Sequence, residues 1–69
     1  MSDHTYKLIE LTGSSTESSD QAIQNAISKA SESIKNMHWF EVVETRGYIE
    51  SGGVKYWQVT IKVGFRIED

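Results

Sequence analysis

The stretch from Tyr56 to Ile67 constrains the fold more than any other part of the chain. Trp57, Val59, Ile61, Val63, Phe65 and Ile67 alternate with Tyr56, Gln58, Thr60, Lys62, Gly64 and Arg66. Side chains on a strand point alternately to opposite faces, so this is a β-strand with one apolar face and one polar or aromatic face. The apolar face needs a cover, and the rest of the sequence has to supply it.

That cover is a helix predicted from about Asp20 to Asn36. Ala22, Ile23, Ala26, Ile27, Ala30, Ile34 and Met37 recur at helical intervals and make one stripe. Gln24, Ser28, Ser31, Glu32 and Lys35 fall on the other side as a solvated face. Ser18 followed three residues later by Gln21 is a capping-box signature, and Asp20 suits the positive end of the helix dipole. The alanines in the stripe let the helix lie close against a sheet.

Two further strands flank this pair. Tyr6–Leu11 is short and apolar on both sides of the pleat, followed by a polar, turn-rich loop from Thr12 to Ser19. His38–Arg46 forms the second strand; Gly47 interrupts it, and Tyr48-Ile49-Glu50 continues it past a bulge. Ser51-Gly52-Gly53 signals a hairpin into the long third strand. The order is strand, helix, strand, strand, an α+β fold in which the third strand lies centrally, antiparallel to both others.

Size adds a second constraint. The chain has 69 residues, a single domain over residues 1–69, with no cysteine and no proline. A domain this small buries only about 60% of its unfolded surface and commonly needs a staple. Disulfides and thiolate metal sites are excluded by composition. Oligomerisation is the remaining common staple, so a homo-oligomer is expected.

The balance of charge excludes some partners. A net charge of −3 gives no basic patch for nucleic acid. No apolar stretch approaches a membrane span, and the N-terminal Met1-Ser2-Asp3-His4 lacks the basic and apolar blocks of a secretory signal. A cytoplasmic protein without a membrane partner is the expectation.

One helix covers one side of a three-stranded sheet. If Phe40 and Val42 join the core beside the helix, strict alternation projects Trp39, Glu41, Val43 and Thr45 onto the open face, among Gln58, Thr60 and Arg66. A tryptophan on an uncovered sheet marks a subunit interface or a ligand site. The residues alone leave both readings open.

Several short segments, in order and spacing, resemble the bacterial dodecins. They are Trp39-Phe40-Glu41-Val42, Thr45-Arg46-Gly47, Gln58-Val59-Thr60 and Lys62-Val63-Gly64-Phe65-Arg66, with the opening Tyr6–Ser15 and Ala22-Ile23-Gln24. The resemblance covers nearly the whole chain. It implies a β-α-β-β subunit assembled twelvefold into a hollow shell, with flavins bound in pairs near two-fold axes. It implies that Trp39 stacks on the isoalloxazine and that Gln58 hydrogen-bonds the pyrimidine edge. An indole is a wide stacking surface, and an amide carries donor and acceptor together.

Arg46 fits the same pattern, either at the ring edge, at the phosphate of FMN, or in an inter-subunit ion pair with Glu41 or Glu44. For Arg66 the resemblance implies the same choice, a contact to phosphate or a place lining a pore of the shell, and Tyr6 and His4, near the sheet edge, are expected to approach the ribityl phosphate tail. Two positions depart from the family pattern. His38 stands where an acidic residue commonly precedes the tryptophan, and Trp57 replaces a smaller ring. The resemblance thus implies a non-enzymatic protein that binds, stores and quenches FMN, with riboflavin a possible ligand. A flavoenzyme, and a structural shell with incidental flavin affinity, are the alternatives. The sequence offers no nucleophile–base pair and only two histidines for acid–base work.

Overall fold

The computed structural model describes residues 3–67. Strands β1 (Tyr6–Ser15), β2 (Met37–Glu50) and β3 (Gly53–Arg66) form one antiparallel sheet in the order β1-β3-β2, and helix α1 (Ser19–Ala30) follows β1. The β-α-β-β order and the central place of β3 are as expected. The Ser18 hydroxyl caps α1, accepting from the Gln21 N–H at 3.0 Å. The Gln21 side chain turns instead to Asn25, donating to its Oδ1 at 2.8 Å.

Several boundaries differ from the sequence reading, and β3 begins at Gly53, ahead of the expected Tyr56. Helix α1 ends at Ala30, not Asn36. The Ser31 hydroxyl donates to the Ser28 carbonyl, the acceptor that the Glu32 N–H would have used, and Glu32 bonds the Lys29 carbonyl instead. Serine competing for backbone partners stops the helix there. Asn36 then adopts a left-handed φ of 65°, a conformation that asparagine tolerates.

Strand β1 runs to Ser15 rather than Leu11, pairing Thr12 to Ser15 with Thr60 to Trp57. Its turn-prone residues serve packing. A Cβ on Gly13 would sit 2.8 Å from the Ala26 Cβ and closer still to the Ala22 carbonyl. Gly13 and the alanine stripe together let α1 approach the sheet closely.

Strand β2 is continuous through Gly47, and its irregularities fall between Met37 and Trp39, Val42 and Glu44, and Tyr48 and Ile49. The hairpin itself turns on Ser51 and Gly52, with φ of 54° and 80°, the pair of positive values required by the tightest loop between twisted strands.

Val59, Ile61 and Val63 are buried against Ala22 and Ala26, with Ile9, Leu11, Ile23, Ile27 and Met37 packed around them. Full burial of an aliphatic side chain stabilises by about 1.5–3 kcal/mol, so this cluster is the core's main support. Helix α1 lies over β1 and β3. Phe40 and Val42 stand across from Val63 and Ile61, on the helix side as expected, yet remain 46% and 49% exposed because α1 does not extend over them.

The chain is therefore elongated. Its radius of gyration is 14.4 Å, against about 11 Å for a compact domain of this length, and it spans 55 Å along its longest axis. No helix among the described residues is long and apolar enough to cross a membrane.

Candidate functional site

The face of the sheet turned away from α1 is read directly from the register. Across the three strands it presents Leu8, Gly64 and Trp39, then Glu10, Lys62 and Glu41, then Thr12, Thr60 and Glu44, then Ser14, Gln58 and Arg46, and finally Tyr56 beside Tyr48. Strict alternation along β2 puts Arg46 on the helix side with Phe40. The extra residue between Val42 and Glu44 reverses the pleat, and Arg46 joins the face of Trp39. The same bulge carries Thr45, expected on the open face, to the helix side opposite Val59.

Trp39 is on the open face, as expected, but its neighbour is Gly64. A Cβ built on Gly64 would lie 2.8 Å from the indole Nε1 and closer to two ring carbons, so the indole covers the glycine. Trp39 nonetheless stays 43% exposed. Tyr6 pairs across from Arg66 at this end of the sheet, and the Tyr6 and His38 rings meet edge to face, with centroids 5.6 Å apart. His4 lies just before β1 and is exposed.

Gln58 lies further along the same face, six residues from Gly64 on β3, a distance of about 20 Å at strand spacing. It is not beside Trp39 within the chain. Its neighbours form a polar row across all three strands. Arg46 Nη1 donates to Gln58 Oε1 at 2.8 Å, and Gln58 Nε2 donates to Ser14 Oγ at 3.3 Å. The Tyr48 hydroxyl reaches the same Oε1 at 3.5 Å. Arg46 Nη2 is bound to the carboxylate of Glu44 in the same chain. That hydrogen bond and the charge behind it raise the guanidinium pKa above its ordinary value.

The six residues singled out in the sequence thus fall into two groups. Trp39, Tyr6 and Arg66 gather at one end of the open face, with His4 exposed just before β1, and Gln58 and Arg46 stand together further along it. The sequence reading missed Ser14, Tyr48 and Tyr56, whose positions beside Gln58 depend on cross-strand register. Tyr48 and Tyr56 stack with centroids 4.6 Å apart. An open hollow of about 670 Å³ adjoins Gln58, lined by Ser14 to Glu17, Gln21, Asn25 and Tyr56. Gly64 did carry a signal, since a glycine inside a strand marks a close approach. No cluster of three metal-ligating side chains exists among the described residues.

Sequence and structure comparisons place the fold in a known family. A sequence model of the dodecin family matches residues 5–68. This chain belongs to the dodecin family. The dodecin of Thermus thermophilus is 47% identical over 64 residues, covering 93% of each chain. The solved dodecin from Streptomyces davaonensis superposes with a TM-score of 0.93 at 50% identity, covering 99% of this chain and 100% of that one. The dodecin from Streptomyces coelicolor gives 0.93 at 48% identity, with 100% and 99% covered. The β-α-β-β order with its three-stranded sheet and single helix is the dodecin fold.

Proposed function

We propose that this dodecin binds, stores and quenches a flavin, with FMN the main ligand and riboflavin a second, and that it does so as a hollow cytoplasmic homododecamer without enzymatic turnover. The observation that carries the reading is the half-exposed indole of Trp39, lodged on Gly64 on a sheet face that the helix leaves open. A flat aromatic surface held this way is a stacking platform for a planar ring. Gln58 supplies polar groups for the edge of that ring.

The separation of about 20 Å between these residues along β3 bears on assembly. One isoalloxazine cannot meet Trp39 and Gln58 of the same subunit, so a site using both draws them from two copies. The uncovered apolar side chains of β2 and the elongated shape favour the same conclusion, since a lone subunit leaves Phe40, Val42 and Val43 about half exposed. In this reading the cationic groups for the phosphate of FMN are Arg66, which pairs across from Tyr6 at the Trp39 end of the sheet, and His4, exposed just before β1. Arg46 serves the ring edge through Gln58.

Absorbance and emission of the purified protein test this reading. A yellow protein whose bound flavin is dark in fluorescence supports it. A colourless protein that takes up no added FMN overturns it in favour of a structural shell. Turnover with an added reductant and acceptor would favour a flavoenzyme.

A further inference from the structure

The amide of Gln58 is held in one sense by its neighbours. Arginine carries only donors, so the amide atom facing Arg46 at 2.8 Å must be the oxygen. The nitrogen then faces the other way, toward Ser14 Oγ on β1. Arg46 is itself fixed by Glu44 two residues away, and the bulge between Val42 and Glu44 is what brings Arg46 to this face. Of the valences left to Gln58, the lone pair reached weakly by Tyr48 at 3.5 Å lies on the oxygen, and one N–H remains on the nitrogen.

We propose that Glu44 and Arg46 form a polarity lock on Gln58, which decides which flavin carbonyl the amide recognises. The inference rests on the flavin reading above. The pyrimidine edge of an isoalloxazine presents an N–H flanked by two carbonyls. An amide of fixed polarity accepts from that N–H with its oxygen, displacing the long Tyr48 contact, and donates to the carbonyl on its own nitrogen side. Reversing the amide would move the donated hydrogen bond to the other carbonyl. Arg46 is thus a positioning residue acting through Gln58, and Glu44 acts through Arg46.

Two measurements test the lock. In the unliganded protein labelled with [15N]glutamine, the Gln58 side-chain signals are distinguished from those of Gln21 and Gln24, the other two glutamines. Arg46→Leu moves them toward free-amide positions, and Arg46→Lys, which keeps a donor-only group, holds them near the unmutated ones. With riboflavin carrying 13C at C2 or at C4, infrared spectra report each carbonyl separately. In the unmutated protein one carbonyl band rises on Gln58→Leu, which identifies the bonded one. In Arg46→Leu both carbonyls are partly shifted and riboflavin affinity falls about three- to tenfold, the worth of a single hydrogen bond.

Unshifted amide signals in Arg46→Leu, or a single unmoved carbonyl band with unchanged affinity, overturn the lock. So does a failure of Arg46→Lys to restore the amide signals. Should the unmutated protein take up no riboflavin, the flavin reading fails, and the amide signals of the unliganded protein still decide the lock.

Discussion

The indole of Trp39 covers Gly64 across the β2–β3 pair, and nothing larger than a hydrogen fits between them. A Cβ at Gly64 would lie 2.8 Å from Nε1, with two ring carbons nearer still. The ring is therefore seated by the absence of a side chain rather than by a bond. Gly64→Ala should tilt the indole off the sheet and weaken flavin binding by up to about 1–3 kcal/mol, the usual worth of an aromatic platform. Flavin titration followed by emission checks this; unchanged affinity and quenching would mean that the seat is irrelevant.

Trp39→Ala removes the platform itself. Flavin affinity should fall by about 1–3 kcal/mol, and whatever flavin remains bound should recover fluorescence. Sedimentation should find the assembly intact, because Trp39 stays largely outside the core. A variant that still quenches fully would reduce Trp39 to packing.

Gly13→Ala tests the contact between helix and sheet. The added methyl points into the Ala22 carbonyl and the Ala26 Cβ, so α1 must move outward from β1. Overpacking of this kind costs about 1–3 kcal/mol, to be read as a lower denaturant midpoint. An unmoved midpoint would show that α1 yields without loss.

Charge at the two ends of the open face separates phosphate from ring recognition. Arg66→Ala and His4→Ala should shrink the preference for FMN over riboflavin, and salt should shrink it too. Arg46→Ala should weaken both flavins alike, since Arg46 is bound to Gln58 and Glu44. Calorimetry of both ligands measures each effect. Equal affinities of the unmutated protein for FMN and riboflavin at low salt would remove the phosphate contacts altogether.

Assembly and folding should be inseparable. With Phe40, Val42, Val43 and Ile49 uncovered in one subunit, and Ile49 80% exposed, no folded monomer is expected at micromolar concentration. Analytical ultracentrifugation along a dilution series would expose one if it exists.

Local pattern was enough for much of this molecule. The alternation through β3, the alanine stripe of α1, the Ser18 cap and the Ser51-Gly52 turn are all short-range signals, and each of these elements formed, although α1 stopped short of Asn36 and β1 ran past Leu11. The register decided what pattern could not. One extra residue between Val42 and Glu44 moves Arg46 to the open face and Thr45 off it, because strand side chains have a period of two and a bulge shifts that period by one. The turn-prone run from Thr12 to Ser15 became strand because Gly13 fits beneath α1, a gain visible only when helix and sheet are packed. Sequence thus determined which elements exist and that Trp39 and Gln58 share a face. Only the tertiary structure decided that they stand about 20 Å apart along it, since that distance depends on which residues of β2 and β3 lie opposite one another.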